Sequence, residues 1–179
     1  MADLGLDRRL TTRVLELWKK YSGEGFPRRS QIDPREFGVD WANCLMIDLD
    51  PDIAESRFSH VGNALRDPTW PTFDRQTISE CLEGTLLEML ARRIPQAAAK
   101  RKPISFGGSA YHDNSNILYR TILLPLSESG ERLDGILAAI TFREIAVADE
   151  LPHSDIAESH RVARAAPSRL SRPNNAGRN

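Results

Sequence analysis

Hydrophobic residues recur at steps of three and four over residues 7–21. Leu6, Leu10, Val14, Leu17, Trp18 and Tyr21 share one stripe, while Arg8, Arg9, Arg13, Glu16, Lys19 and Lys20 fall elsewhere, which predicts an amphipathic helix. Ser22-Gly23-Glu24-Gly25 stops it, because glycine closes a helix in the left-handed conformation at low cost. Residues 26–37 carry Pro27 and Pro34 and have no sustained period, so an extended connector is expected. It holds one short helical turn, capped by Asp33 and begun by Pro34. The apolar run 44–49, closed by Asp50-Pro51-Asp52, and the alternating run 56–61 predict a β-hairpin. The two-residue strand period places His60 on the same face as Phe58.

Gly62 ends the second strand, and Pro68, Trp70 and Pro71 exclude a long helix over residues 63–73. Residues 77–99 give the strongest helical pattern, with Ile78, Leu82, Leu86, Met89, Leu90 and Ile94 on one stripe. Thr77 and Glu80 have the spacing of a capping box, and Pro95 is expected to kink or end the helix. Three more strands are expected at residues 104–111, 116–126 and 132–142, joined by turns at 112–115 and 127–130. Gly107 and Gly108 read as a bulge or a close backbone approach within the first of them. Residues 161–179 hold five arginines, no acid and two prolines, the composition of a disordered tail.

Five strands split two and three around a helical connector predict an α+β fold: an antiparallel sheet with helices on one face and a preceding flanking helix. That order is similar to the PAS fold. The segments Arg29-Ser30-Gln31-Ile32-Asp33-Pro34, Arg57-Phe58-Ser59-His60-Val61-Gly62 and Leu123-Leu124-Pro125-Leu126-Ser127-Glu128-Ser129-Gly130 resemble the landmarks of a bacterial family of stand-alone PAS-like domains. The division expected is a flanking helix in residues 1–25, a PAS-like domain in 26–145 and a flexible tail in 146–179. The resemblance implies a role in signal transduction. Asn63 and Asp67-Pro68-Thr69-Trp70-Pro71 depart from the family where it borders its ligand cavity, so no ligand carries over.

The 24 Lys and Arg nearly cancel the 25 Asp and Glu, so whole-chain charge selects no partner and binding to nucleic acid is not expected. The apolar runs are strand-length and the opening residues include acids, so neither a membrane span nor a secretory signal is expected, and the protein is placed in the cytoplasm. Cys44 and Cys81 lack zinc or disulfide spacing and read as small apolar residues. Nucleophile and phosphate-loop motifs are missing, as are clustered metal ligands, so an enzyme, a metal and a cofactor are not expected. His60 is conceivable as a haem ligand but reads first as a packed strand histidine, and His112-Asp113 reads as a solvated turn.

Met89, Phe106, Tyr119, Ile122 and Phe142 are candidates to line a space between sheet and helices, either as solid core or around an unidentified small molecule. Leu10, Val14, Trp18 and Tyr21 are candidates for a surface that pairs with a partner or a second copy. The function expected is a PAS-like regulatory module acting through protein contacts, as a homodimer. The alternatives are a small-molecule sensor whose ligand controls those contacts and a small enzyme using the same cavity.

Overall fold

The computed structural model describes residues 8–66, 76–112 and 115–145. The chain divides into two units, Met1–Ala146 and Val147–Asn179. Everything described lies in the first, and the expected tail and the Pro68-Trp70-Pro71 segment lie outside the described residues.

The amphipathic stripe forms helix α1, Arg8–Ser22. Asp33 accepts a hydrogen bond from the Arg35 N–H and opens the short helix α2, Pro34–Phe37. A turn of tight 3-10 helix, Gly38–Asn43, follows; the sequence pattern did not indicate it, since Gly38-Val39-Asp40 has no helical period. The hairpin forms as expected from β1, Cys44–Asp48, and β2, Arg57–Val61.

The long helix expected over residues 77–99 is instead broken into pieces. The capping box at Thr77 and Glu80 does form, but it caps only a single 3-10 turn, Ile78–Glu80. Gly84 then turns with φ +80°, and Thr85 caps a new helix, α3, Leu86–Ala91. Pro95 sits in the first turn of α4, Ile94–Lys100, where its missing N–H has no helical partner to lose. It therefore starts a helix rather than ending one. The break explains why Leu82 is 58% exposed while Leu86, Leu90 and Ile94 are fully buried: the stripe holds only where the 3.6-residue period does.

The last three strands are β3, Ile104–His112, β4, Ser115–Leu126, and β5, Gly135–Glu144. β5 begins three residues later than expected, because Asp134 still belongs to the loop: its carboxylate accepts from the Glu128 N–H and its carbonyl from the Leu49 N–H. All pairings are antiparallel and the order is β2-β1-β5-β4-β3. α3 and α4 cover one face of the sheet and the flanking helix α1 covers the other, so two apolar cores lie back to back. Each fully buried Leu or Ile in them contributes about 1.5–3 kcal/mol of transfer free energy.

Candidate functional site

The three sequence segments that carry the family resemblance meet at one side chain, Arg29. Its backbone N–H donates to the Ser127 carbonyl at 2.9 Å, fixing the connector beside the β4–β5 loop. Its guanidinium donates to the Ser59 hydroxyl at 2.9 Å and lies 3.0 Å from the Glu128 carboxylate. It also contacts the Asp48 carboxylate and reaches toward the Ile47 carbonyl. A planar fork with five donors can serve all of these at once. Gly135 leaves room beside it, since a Cβ there would lie 2.9 Å from Nη2 of Arg29 and push the guanidinium aside. This clasp ties connector, β2 and β4–β5 loop together, which is a scaffolding role.

Ser59 reaches Arg29 because of an irregularity in β2. His60 pairs with Met46 and Phe58 with Ile47, so Ser59 is an extra residue and the strand is bulged. The bulge corrects the expectation that His60 and Phe58 share a face. Phe58 enters the core under α3 and α4, whereas His60 stacks on Trp41 with ring centroids 4.4 Å apart and planes at 21°. Nε2 of His60 is buried with no hydrogen-bond partner. Burial, helped by the Arg66 cation, pushes the imidazole below its ordinary pKa, against a hydrogen bond with the Trp41 backbone. His112 is likewise not in a turn: it lies in β3, buried, with Nε2 3.3 Å from the Ala64 carbonyl and its ring edge-on to Phe142. Asp113 is outside the described residues.

The candidate cavity residues do not come together around one space. Met89, Phe106, Tyr119 and Phe142 belong to the core under α3 and α4, with Phe106 edge-on to Tyr119 at 6.3 Å. Ile122 lies on the opposite face, among Leu10, Val14 and Trp18. Ile122 lies three positions after Tyr119, so the two-residue period already puts them on different faces. The interior is packed: Leu65, Leu86, Leu90, Ile94, Tyr119 and Leu123 are each at most 2% exposed. Two open grooves lie elsewhere. One of about 820 Å³ runs between α1 and α2 past Arg13, Lys20, Glu36 and Val39. Another, of about 680 Å³, runs past Trp18, Phe26, Arg101 and Glu131.

The candidate partner residues of α1 are occupied by the chain's own sheet. Leu10, Val14 and Trp18 are at most 9% exposed, against β4 and β5. Tyr21 donates its hydroxyl to Glu36 at 2.5 Å, and Arg13 holds Asp40 through two hydrogen bonds of 2.6 Å. The helix is thus bolted to its own domain along its length. Among the described residues, three large apolar side chains stand out in water instead: Val39 at 89%, Leu82 at 58% and Tyr111 at 42%.

Burial raises the Cys44 thiol to about 12, with the Asp40 carboxylate adding to the effect. Burial likewise raises Cys81 to about 12, with Glu88 and Glu80 contributing. Neither is a thiolate at neutral pH. Among the described residues no group of three His, Cys, Asp or Glu could hold a metal ion, and no helix is long and apolar enough to cross a membrane.

No family model and no curated protein matches the chain. Among solved structures it is similar to an RNA-binding light-oxygen-voltage receptor, at 16% identity and a TM-score of 0.36. That match covers 68% of this chain and 34% of the receptor, so the chain spans about a third of the receptor's length. It is also similar to the PAS domain of Bordetella pertussis BvgS, at 20% identity and a TM-score of 0.35, over 68% of this chain and 82% of that domain. In element order and in its five-stranded antiparallel sheet, the chain is PAS-like in fold.

Proposed function

We propose that the chain is a non-enzymatic signalling or regulatory module that works in the cytoplasm through protein–protein contacts and pairs with a second copy of itself. The observation that carries this reading is the filled interior. Leu65, Leu86, Leu90, Ile94, Tyr119 and Leu123 occupy the volume between sheet and helices, where a sensed small molecule would otherwise have to sit. A module whose core, among the described residues, is filled in this way exchanges information through its surface. Among the described residues, Val39, Leu82 and Tyr111, apolar and exposed, are the side chains that gain most from being covered by another protein.

Sedimentation equilibrium of the full chain at tens of micromolar, with native mass spectrometry of the same preparation, tests both halves. The expected result is a dimer mass with no retained small molecule. A stoichiometric bound metabolite overturns the surface-acting reading, and a monomer throughout overturns the pairing.

A further inference from the structure

The two edges of the sheet differ. β2 is shielded on its outer side: the Phe58 N–H donates to the Gln76 carbonyl at 3.0 Å, and the Ile78 N–H to the Ser56 carbonyl at 2.9 Å. β3 is paired with β4 along all nine of its residues, in uninterrupted register from Ile104–Leu123 to His112–Ser115. On its other side Tyr111 bridges to Thr85, its N–H donating to the Gly84 carbonyl at 2.8 Å. Tyr111 thus marks which backbone groups face outward. With a two-residue period, the N–H and C=O of Ser105, Gly107 and Ser109 point the same way.

Sheet edges are ordinarily protected by charge, proline or a covering segment. Ile104-Ser105-Phe106-Gly107-Gly108-Ser109-Ala110-Tyr111 contains no charged residue and no proline. We infer that this edge of β3, bare from Ser105 to Ser109 among the described residues, pairs antiparallel with β3 of a second copy, about a two-fold axis at Gly107, to give one continuous ten-stranded sheet. The inference rests on the homodimer reading above and names its interface.

Three features select a second copy over another strand. Pairing centred on Gly107 sets Ser105 opposite the other copy's Ser109 on both sides of the axis. The backbones then meet through their smallest side chains, and no like charges face each other. On the other face the same register lays Phe106 across Gly108 of the other copy, covering the position that has no side chain of its own. The ends match as well. Pro103 has no N–H to extend the ladder, and the Tyr111 N–H is already bonded to Gly84. The available outward groups are therefore those of residues 105, 107 and 109, a set that is complementary to itself.

Ser105 and Ser109 are exposed on the sheet, so substitutions there leave both cores intact. In sedimentation velocity on the full chain, S105K combined with S109K places lysines opposite each other and is expected to weaken the dimer about tenfold or more. S105K combined with S109E places opposite charges there and is expected to restore it. Ser109→Pro removes an outward donor from each copy without touching the β4 ladder, and is expected to weaken the dimer as the double lysine variant does. Thermal unfolding of each variant at a monomeric concentration verifies the fold. A wild-type dimer that none of these variants changes overturns this interface and leaves the homodimer standing. A wild-type monomer overturns both, and a β3 edge protected from hydrogen exchange only when another protein is bound assigns the edge to that protein instead.

Discussion

The Trp18 indole N–H donates to the Pro125 carbonyl at 2.7 Å, across a sequence separation of 107 residues. Pro125 lies beyond Leu123, the last β4 residue paired with β3, and proline brings no N–H of its own to the ladder. Its carbonyl would be a buried acceptor without a strand partner. Helix α1 supplies the donor, so the flanking helix completes the sheet as well as covering it. Trp18→Phe, which keeps the ring and removes the donor, is expected to cost about 1–3 kcal/mol. Trp18→Ala is expected to cost about 3–5 kcal/mol. Urea unfolding measures both, and a Trp18→Phe protein as stable as wild type would mean that water satisfies Pro125.

Arg29 gives a second prediction, about geometry rather than charge. Asp48 and Glu128 are half exposed or more, so each ion pair taken singly is worth about 0–1 kcal/mol. Asp48→Asn and Glu128→Gln should fall in that range. Arg29→Lys keeps the charge but gives a point donor where a fork served Ser59, Ile47 and two carboxylates, and should cost about 1–2 kcal/mol. Equal losses for Arg29→Lys and Glu128→Gln in the same denaturation series would reduce the clasp to an ordinary surface pair.

The adjacent glycines of β3 give a third. A Cβ on Gly107 would lie 2.6 Å from the Tyr119 carbonyl oxygen, a contact backbone cannot yield to. One on Gly108 would rest 3.5 Å from the Tyr119 ring, an ordinary van der Waals distance. Gly107→Ala is therefore expected to cost about 1–3 kcal/mol, and Gly108→Ala to stay within about 0.5 kcal/mol of wild type. Chemical denaturation at low protein concentration separates the two. Equal effects would mean that strand propensity, rather than the close approach, governs both positions.

These same residues show what the sequence carried. α1, the Asp33-Pro34 turn and all five strands were legible, because period and caps are local signals. The Thr77–Glu80 box was legible too, but not that Gly84 would confine it to one turn: an apolar stripe looks alike whether one helix or three pieces present it. The Ser59 bulge was hidden, since an extra strand residue leaves no trace until register is set by the partner strand. It moved His60 to the other face. The burial of Leu10, Val14 and Trp18 was hidden for a different reason. An amphipathic stripe announces that it will be covered and says nothing of whether its own sheet or a second chain covers it. Tyr119 and Ile122 are the opposite case, since counting three along a strand separates their faces without any structure.

His60 gives the last prediction, in which the sign follows from its setting. The imidazole is stacked on Trp41, its Nε2 is buried without a partner, and the Arg66 cation is close enough to disfavour a second charge. Its pKa in the folded chain therefore lies below the ordinary 6.5, burial being the larger cause. Above that ordinary value the ring is neutral whether the chain is folded or not, and the stability it permits is fully present. As pH falls through about 6.5 the unfolded chain takes up the proton first, so unfolding is favoured progressively until the folded-state pKa is reached. Wild-type stability should decline between about pH 7 and pH 5, before the carboxylates titrate appreciably. His60→Phe keeps an aromatic ring against Trp41 and cannot be protonated, so its decline over that interval should be shallower. Denaturant unfolding of both proteins at several pH values reads the difference in slope. Parallel curves would show that His60 is protonated equally easily in both states, and the stacked, partnerless ring would then have no bearing on acid stability.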